Sequence, residues 1–315
     1  MVVDVTARTL GRTGIEVLPV SIGTAFIGSD RDRGEPMSDA AVEAATAVLT
    51  GPFRMVDTAN SYGHGRSESA LGAAVRALGG VPAGTTLVTK AGRDRDTGDY
   101  SADRVMLSFE ESAQRLGIDR FPLYHLHDPY QMTFQEAMAP GGAVEALLRL
   151  KEEGLVGHLG IAAGPLSLVE AYVDTGLFDV MLTHNRYTLL NRSATALMDK
   201  AVGQGMGVIN AAPFGGGILA TGATAGATYA YESAGESVVA YVRQLQEICA
   251  RAGLPLAAVA LQFSLRNPLI STTMVGTASA ARVAQFHEFM TLEIPEELWA
   301  EVAALGDPPV DFGAD

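Results

Sequence analysis

Short runs rich in β-branched residues alternate with longer helical patterns along almost the entire chain. Eight of these runs are predicted strands, and they cover residues 20–23, 55–57, 87–90, 123–126, 158–161, 180–183, 207–210 and 271–275. A strand–helix unit repeated this often in 315 residues predicts an α/β fold, namely a closed (β/α)8 TIM barrel. A doubly wound parallel sheet shows the same alternation and is the alternative fold.

Serine residues mark the starts of three intervening helices, where a hydroxyl oxygen can accept a backbone N–H. The pairs of N-cap and helix are Ser38 with 39–49, Ser67 with 68–77 and Ser101 with 102–116. Before the first strand, residues 8–10 and 15–18 flank a turn and predict an N-terminal β-hairpin that closes the barrel floor. After the seventh strand come a glycine-rich stretch, 215–226, and extra C-terminal helices. No linker divides the chain, so residues 1–315 are predicted to form one domain.

The charge and the cysteine content exclude several classes of function. A net charge of −14 makes a phosphate backbone an unfavourable partner, so no nucleic acid is expected. The only cysteine, Cys249, allows neither an intrachain disulfide nor a thiolate zinc site, and no histidine–carboxylate spacing indicates a metal. No apolar run approaches the ~20 residues that cross a bilayer, and the N-terminus lacks a signal-peptide pattern. We therefore expect a cytoplasmic protein without membrane contact, whose oligomeric state stays open.

Reactive side chains in such a barrel lie at the C-terminal ends of the strands. Those positions hold Asp57, Lys90 and His127, and Tyr62 follows Asp57 after one short turn. An ammonium group lowers the pKa of a neighbouring phenol, an aspartate holds the ammonium, and a neutral histidine can hydrogen-bond a substrate oxygen. These groups are suited to reducing a carbonyl or oxidising an alcohol, with a hydride that a cofactor must supply.

Each of these four residues also has an ordinary structural interpretation, as a helix cap, a packing residue at the rim or a buried histidine. Lys90 fits that interpretation least well. The chain has 19 arginines, whereas lysine occurs only at Lys90, Lys151 and Lys200. A lysine at a buried strand end therefore indicates a requirement that the bulkier, planar guanidinium group does not meet.

The run 56–72, which reads VDTANSYGHGRSESALG, closely resembles the signature of the aldo-keto reductase family. Residues 87–90 are similar to the lysine strand of that family, and residues 123–129 to its histidine strand. The opening LGRTG and the late VGT at 275–277 fit as well, so the resemblance extends over essentially the whole chain. It implies a barrel that binds an extended nicotinamide cofactor.

The resemblance also implies roles for individual residues. Tyr62 would be the acid/base, Lys90 and Asp57 would tune it, and His127 would orient the substrate. The implied cofactor contacts are Asn185, Pro213, Phe214, Gly215, Gly217, Gly276, Thr277, Arg282 and Gln285. A lysine that the family often places near the 2′-phosphate of NADP falls on Gly276, while a frequent arginine is kept as Arg282. We therefore expect NAD or NADP, with a slight preference for NAD. The glycines at 215–217 also fit a dinucleotide pattern that lets backbone amides approach a pyrophosphate.

Residues 185–191 and 210–217 are most similar to the sugar dehydrogenases of the family. That branch includes L-fucose, D-threo-aldose and L-galactose dehydrogenases and a related pyridoxal dehydrogenase. Asp128 replaces the tryptophan of many aldehyde reductases, and a carboxylate there can accept hydrogen bonds from sugar hydroxyls. A surface turn residue is the alternative for Asp128. The remaining predicted substrate-pocket residues are Phe26, Tyr130 and Arg186, for which packing or a rim ion pair is equally open.

The leading hypothesis is an NAD(P)-dependent aldose 1-dehydrogenase that oxidises a sugar to a lactone with Tyr62 as general acid/base. The alternatives within the family are an NADPH-dependent aldehyde or ketone reductase, a pyridoxal dehydrogenase, and a dinucleotide-binding protein with little turnover. A Schiff-base aldolase that uses Lys90 is a further alternative, although an aspartate-paired, charged lysine is a poor nucleophile. The expected partner is a small-molecule aldose or aldehyde.

Overall fold

A computed structural model describes residues 4–28, 37–230 and 232–310. Eight parallel strands form a closed barrel, in which each strand pairs with the next along the chain and the last pairs with the first. The closure places Val275 opposite Ile22 and Gly276 opposite Gly23. The (β/α)8 barrel is therefore confirmed, and the doubly wound sheet is excluded because an open sheet leaves two unpaired edge strands.

The eight barrel strands are β3 (Val20–Gly23), β4 (Met55–Asp57), β5 (Thr86–Ala91), β6 (Phe121–His127), β7 (Val156–Ala162), β8 (Val180–His184), β9 (Gly207–Ala211) and β12 (Thr272–Gly276). Two short antiparallel hairpins lie outside the barrel, β1 (Arg8–Thr9) with β2 (Glu16–Val17) and β10 (Thr228–Tyr229) with β11 (Glu232–Ser233). Every predicted strand coincides with an observed one, with ends that differ by at most two residues.

The α-helices surround the barrel, and their bounds are α1 (Asp39–Leu49), α2 (Arg66–Ala77), α3 (Ala102–Leu116), α4 (Phe134–Met138), α5 (Ala143–Glu152), α6 (Leu166–Val173), α7 (Thr195–Gly203), α8 (Ile218–Thr221), α9 (Glu236–Arg251), α10 (Leu256–Leu265), α11 (Ala280–Thr291) and α12 (Glu296–Ala304). The extra C-terminal helices are thus present, and α9 packs against α12.

Alternation along the strands separates two cores, because successive side chains of a strand point to opposite faces. The inward residues form a small apolar cluster in the lower barrel that includes Met55, Val88, Leu123, Val180 and Ile209. Most of the outward residues pack beneath the helices in a larger cluster. The upper end of the barrel interior holds polar side chains instead, which is where the candidate site lies.

The N-terminal hairpin covers the barrel floor, as predicted. Leu10 and Val17 are fully buried against the interior cluster. The Arg12 guanidinium donates to Asp179 Oδ1 at 2.9 Å, to the Phe178 carbonyl at 2.8 Å and to the Gln204 carbonyl at 3.0 Å. These contacts join the turn between β1 and β2 to the segments that lead into β8 and β9.

Two of the predicted N-caps are confirmed. The Ser38 hydroxyl accepts the N–H of Ala41, and the Ser101 hydroxyl accepts the N–H of Arg104. Gly117, in the left-handed region at φ 73°, ends α3 as predicted.

The prediction of Ser67 as an N-cap is wrong. Helix α2 begins at Arg66, with Gly65 in the N-cap position, so Ser67 already lies in the first turn. Its hydroxyl is fully buried, and its Oγ lies 2.9 Å from Thr24 Oγ1 and 3.0 Å from Thr58 Oγ1. Ser67 therefore packs α2 against the ends of β3 and β4. Its partners are distant in the sequence, so a rule based on neighbouring residues does not predict these contacts.

The length and apolar character of the helices bear on whether the chain can cross a membrane. Among the described residues, no one helix combines the length and apolar character needed to cross a membrane. Helices α9 and α10 satisfy that test only when taken together, and they are bent by 100° at the break between them.

Candidate active site

Three neighbouring barrel strands carry the four predicted catalytic side chains. Asp57 is the last residue of β4, Lys90 the last but one of β5, and His127 the last of β6. Tyr62 begins the 3-10 turn that follows β4. Because the barrel order places β4, β5 and β6 side by side, the structure brings the four side chains together at its C-terminal end.

Lys90 is the centre of this cluster. Its ammonium group forms an ion pair with Asp57 Oδ1 and donates to the Thr58 carbonyl at 2.8 Å and to the Tyr62 hydroxyl oxygen at 3.2 Å. Lys90 and Asp57 are each only 1% exposed. An ammonium group has three N–H donors, and here each has an acceptor. Burial alone would lower the pKa of Lys90, but the Asp57 carboxylate and the Tyr62 hydroxyl together raise it above its ordinary value, so the side chain stays charged.

The pKa of Tyr62 differs from the sequence-based expectation. Burial raises the pKa of this phenol, and the ammonium of Lys90 opposes that effect without cancelling it. The expected lowering of the Tyr62 pKa is therefore wrong, because desolvation of a buried phenolate outweighs one neighbouring cation. Tyr62 is protonated at neutral pH. Since its oxygen accepts from Lys90, its own O–H remains available to a group in the cleft.

His127 stands beside Tyr62 and is uncharged. The two rings meet edge to face, with centroids 5.5 Å apart and planes at 84°. Burial is the main reason that the pKa of His127 falls to about 4, although Asp128 opposes it. Ser61 Oγ lies 3.3 Å from His127 Nδ1, and Asp128 Oδ2 lies 3.5 Å from His127 Nε2. A neutral imidazole can donate one hydrogen bond to a substrate oxygen.

A cavity of about 290 Å³ opens beside His127. The cavity is lined by basic, acidic and neutral polar residues. They are Ser61, Gly92, Arg93, Arg95, His127, Asp128, Tyr130 and Gln131. Asp128 and Tyr130 line this cavity, and their place in a substrate pocket stays a prediction. A space of this size beside a phenol and an imidazole suits a small molecule.

Tyr130 and Arg186 both contact the loop after β7. The Tyr130 hydroxyl accepts the N–H of Gly164 at 2.9 Å, and Arg186 Nε donates to the Gly164 carbonyl at 3.1 Å. Arg186 does not line the cavity beside His127. The structure therefore gives Arg186 a part in shaping the rim of the barrel.

Sequence reasoning missed several residues of the site, namely Ser61, Arg93, Arg95, Tyr100 and Gln131. Tyr100 joins two strand ends, because its hydroxyl lies 2.8 Å from the carbonyl oxygens of both Ala91 and His127. The arginines carried a usable signal, since Arg93 and Arg95 closely follow Lys90 in a loop at the reactive end of the barrel. Ser61 and Tyr100 carried none, because their partners come from other strands.

The end of β8 has an unsatisfied polar atom suited to a cofactor amide. Asn185 is 3% exposed, has φ 60°, and its Oδ1 has no hydrogen-bond partner in the described part of the chain. Its Nδ2 contacts His184 Nδ1 at 3.2 Å. A buried acceptor without a partner is costly unless a ligand or water supplies a donor, and a nicotinamide carboxamide is such a donor.

The glycine-rich loop after β9 exposes backbone close to this asparagine. Gly215, Gly216 and Gly217 have φ of 60°, 78° and 121°, values that L side chains rarely adopt. A Cβ at Gly215 would lie 2.6 Å from the Tyr229 ring, whose hydroxyl donates to the Asn185 carbonyl at 2.8 Å. Position 215 thus requires glycine for both its backbone conformation and the available space. The loop can present backbone N–H groups to a phosphate.

Pro213 and Phe214 precede those glycines. Pro213 is buried, and the Phe214 ring stacks on Phe286 with centroids 5.8 Å apart and planes at 21°. The stacking joins the loop after β9 to helix α11. Phe286 thereby has a packing role in α11.

A second cavity, of about 300 Å³, lies beyond the glycine loop and includes Gln246, Arg282 and Gln285 in its lining. Arg282 is in the first turn of α11, and Ser279, at the N-cap, makes no side-chain capping bond. The N-terminal end of the helix dipole and the Arg282 guanidinium favour an anion.

Gly276 and Thr277 connect β12 to helix α11. A Cβ at Gly276 would lie 2.8 Å from the ring of Phe26, a residue that is 59% exposed. Thr277 is buried, and its Oγ1 accepts the N–H of Ser279 at 3.1 Å. Phe26 therefore covers the end of β12, and its position in the substrate pocket stays a prediction.

The sequence profile of the Aldo/keto reductase family matches residues 19–307. The chain belongs to this family. Among curated proteins, it is 29% identical to pyridoxal 4-dehydrogenase of Microbacterium luteolum. The aligned region covers 95% of this chain and 97% of that protein. It is 30% identical to L-galactose dehydrogenase of Arabidopsis thaliana, over 96% and 94% of the two chains. It is also 30% identical to D-threo-aldose 1-dehydrogenase of a Pseudomonas species, over 90% and 91%.

A solved structure agrees on the fold of this aldo/keto reductase. The holo form of an aldo-keto reductase from Bacillus halodurans superposes with a TM-score of 0.80, covering 98% of this chain and 99% of that one. The identity is 22%, so this likeness bears on the fold alone. The family assignment makes the protein an oxidoreductase.

Proposed function

We propose that this aldo/keto reductase is an NAD(P)-dependent aldose 1-dehydrogenase, in which Tyr62 exchanges a proton with the oxygen on the anomeric carbon. The observation that carries the proposal is the convergence of Asp57, the Thr58 carbonyl and Tyr62 on the ammonium of Lys90. That arrangement leaves the phenolic proton of Tyr62 beside a fixed positive charge and next to His127, which lines the cavity. A bound nicotinamide would supply the hydride acceptor or donor.

The residues of the chain account for the proton transfer in this reaction. During oxidation, Tyr62 must first be a phenolate that takes the proton of the anomeric hydroxyl, and Lys90 stabilises that phenolate. During reduction, the protonated Tyr62 gives its proton to the forming alkoxide. His127, neutral and nearly buried, donates a hydrogen bond to the same oxygen in both directions.

Three features support a dinucleotide. The unpartnered Asn185 Oδ1 suits a carboxamide, and the glycines at 215–217 suit a pyrophosphate. Arg282, in the first turn of α11, suits a phosphate group of either dinucleotide. The cofactor contacts stay proposals at Asn185, Pro213, Phe214, Gly215, Gly217, Gly276, Thr277, Arg282 and Gln285. We retain the slight preference for NAD, because no lysine stands at Gly276 to pair with a 2′-phosphate.

The sugar as substrate is supported by Asp128 and by the relatives. Asp128 is 38% exposed and lines the cavity, so its carboxylate can accept hydrogen bonds from hydroxyl groups there. Two of the relatives that match most of the chain are named for aldose oxidation. A third is named for pyridoxal, which therefore belongs in the substrate panel.

The experiment measures initial rates of cofactor reduction with NAD and with NADP for L-fucose, D-arabinose, L-galactose, D-xylose and pyridoxal. We expect an aldose to give the highest kcat/KM. Tyr62→Phe should then lower kcat by about 10²–10⁴-fold, because it removes the phenolic proton next to Lys90. Nucleotide binding, measured by fluorescence titration, should be unchanged. Tyr172→Phe is the matched control, since Tyr172 packs on α6 against Phe134 and Phe178, away from the cavity.

Other outcomes identify the alternatives. Reduction of simple aldehydes with NADPH, without aldose oxidation, would establish the general reductase. Nucleotide binding with no turnover of any substrate would establish a binding protein. Trapping of a carbonyl substrate on Lys90 by borohydride would establish an aldolase.

A further inference from the structure

Two arginines line the cavity beside His127, although the chain as a whole is strongly acidic. Arg93 is half-buried and Arg95 is exposed, and both lie in the loop that follows β5. The net charge of the chain is −14, from 22 basic and 36 acidic residues. Among the described residues that line this cavity, Asp128 is the single acid, so basic groups outnumber acidic ones. The charge of the cavity lining is therefore opposite in sign to that of the molecule.

Both guanidinium groups are held by acceptors that carry no negative charge. Arg93 Nη1 donates to Gln131 Oε1 at 2.7 Å. Arg95 Nη1 donates to the Ser61 carbonyl at 3.3 Å and lies 3.3 Å from His64 Nε2. Within the part of the chain that the structure describes, neither guanidinium forms an ion pair with a carboxylate. A neutral acceptor fixes the direction of a guanidinium without cancelling its charge, and most of its five N–H donors remain available.

Two arginines of the adjacent helix α3 show the other arrangement, in which a carboxylate cancels the charge. Arg104 Nη2 donates to Glu111 Oε2 at 2.7 Å, and Arg115 Nη1 donates to Glu68 Oε2 at 3.0 Å. These ion pairs hold helices and strands together. The same part of the molecule thus pairs its structural arginines with acids and leaves the two cavity arginines without them. An uncompensated cation on a half-buried wall is unfavourable unless a ligand brings the anion.

The loop that carries the two cavity arginines has a fixed backbone. Asp94 lies between them in the sequence, but its Oδ1 accepts the N–H groups of Asp96 and Thr97 at 2.9 and 2.7 Å and so closes a turn of the loop itself. At the start of the loop, the Gly92 N–H donates to Ser108 Oγ at 2.8 Å. The donors are therefore in place before a ligand arrives, which lowers the entropic cost of binding it.

The class of ligand follows from these donors. A guanidinium group binds a carboxylate or a phosphate through paired N–H donors. We propose that Arg93 and Arg95 bind an anionic group of the substrate, a carboxylate or a phosphate, so that the preferred aldose is an acidic sugar, either a uronic acid or a sugar phosphate. Oxidation of that sugar at its anomeric carbon rests on the proposed function, whereas binding of the anionic group does not.

Both signs of charge in the cavity serve a single acidic sugar. In the described residues no ion pair joins Asp128 to either cavity arginine, so its carboxylate can accept from sugar hydroxyls while the arginines bind the charged end. The anomeric carbon loses a hydride to the nicotinamide, and its hydroxyl loses a proton to Tyr62. The product is the lactone of the corresponding sugar acid. The anionic group is unchanged in that step and contributes to binding alone.

Binding is tested with sugars that cannot be oxidised. Methyl α-D-galactopyranoside, its 6-carboxylate and its 6-phosphate all lack a free anomeric hydroxyl and differ only in charge at one end. Isothermal titration calorimetry, with and without NAD, should give at least one anionic glycoside a Kd about tenfold or more below that of the neutral one, the effect of a charge-assisted hydrogen bond. The tighter anion identifies the group that the arginines bind. Equal affinity for all three glycosides would overturn the proposal.

Substitution of the two arginines measures their share of this preference. Arg93→Gln/Arg95→Gln should lower the affinity for the anionic glycoside to that for the neutral one, and thermal melts show that the variant is folded. Arg93→Lys/Arg95→Lys keeps the charge without the planar fork and should retain part of the preference. Arg243→Gln, at an exposed position on α9 away from this cavity, is the matched control and should retain all of it. A double glutamine variant with the full preference would contradict the proposal.

Rates connect this site to the proposed function. The values of kcat/KM are compared for D-galactose, D-galacturonate and D-galactose 6-phosphate. We expect an acidic sugar to exceed D-galactose by about tenfold or more, through a lower KM, and the double glutamine variant to remove that difference. Arginine-dependent binding of an anionic glycoside by a protein that oxidises no aldose would refute the proposed function and leave this inference intact. Oxidation of neutral and acidic aldoses with the same kcat/KM would refute the inference and leave the proposed function intact.

Discussion

At the scale of single residues, the contacts of Lys90 explain why one of the few lysines of the chain lies at a buried strand end. Its three N–H donors meet three acceptors that point at one atom from different directions. A guanidinium spreads its donors over a planar fork and cannot place all of them at that point. The rarity of lysine in the sequence was therefore a valid signal, and the geometry supplies its reason.

Removing that charge should cost stability as well as activity. Lys90→Met leaves the Asp57 carboxylate buried and unpaired, so we expect the free energy of unfolding to fall by about 3–5 kcal/mol. The double variant Asp57→Asn/Lys90→Met removes both charges and should recover part of that loss. Urea unfolding of the two variants and the unmodified protein measures the difference. Equal stability of the single and the double variant would contradict the ion pair as the source of the cost.

The interior of the barrel shows a second effect at this scale. His125 lies two residues before His127 in β6, and alternate residues of a strand point to the same face. It is fully buried, and a Cβ at Gly160 on β7 would lie 2.1 Å from its Nδ1. The absence of a side chain at Gly160 therefore makes room for the imidazole of His125.

At the scale of elements, the carboxylate of Asp179 helps to hold the N-terminal hairpin to the barrel. Asp179 precedes β8 and accepts from Arg12 at 2.9 Å, from Lys151 at 2.8 Å and from the N–H of Leu159 at 3.2 Å. Burial alone would raise the pKa of Asp179, but these hydrogen bonds outweigh it and bring the pKa down to about 2. Folding therefore favours the ionised form.

The Asp179 contacts should make the barrel floor acid-sensitive. A folded-state pKa below the unfolded value gives stability that is complete at neutral pH and is lost as the pH falls below about 4. We expect Asp179→Asn to lower the free energy of unfolding by about 1–3 kcal/mol at pH 7, since Arg12 and Lys151 are partly exposed. Thermal melts at pH 7 and pH 3 measure this effect. The variant and the unmodified protein should differ less at pH 3, and an equal difference at both pH values would contradict the assignment.

At the scale of the whole molecule, three histidines of the barrel resist protonation, of which His125 is fully buried and His127 and His184 are partly buried. Burial lowers the pKa of His127 to about 4 and also lowers the pKa values of His125 and His184. All three lie at the upper end of the same barrel. Each must be neutral in the folded protein, so the native state binds fewer protons than the unfolded chain below pH 6.5.

The free energy of unfolding should therefore fall as the pH drops from 6.5 toward 4. For His127 alone the loss is on the order of 3 kcal/mol, from a pKa that moves from 6.5 to about 4. Urea unfolding across this pH range measures the slope, and His127→Gln should make it shallower. His287→Gln, at an exposed position on α11, is the control and should keep the slope of the unmodified protein. A slope that His127→Gln leaves unchanged would show that other groups control the acid sensitivity.

The sequence by itself determined the eight strands, their parallel order and the strand-end positions of Asp57, Lys90 and His127. Those features follow from hydrophobic period and from the rule that reactive groups occupy the C-terminal ends of barrel strands. Tertiary structure alone decided the partners of each group. The contacts of Ser61 with His127 and of Arg12 with Asp179 join residues 66 and 167 positions apart in the chain. Closure of the barrel and burial of its interior create such contacts, and burial also reversed the expected direction of the Tyr62 pKa, because desolvation depends on everything that surrounds a group in space.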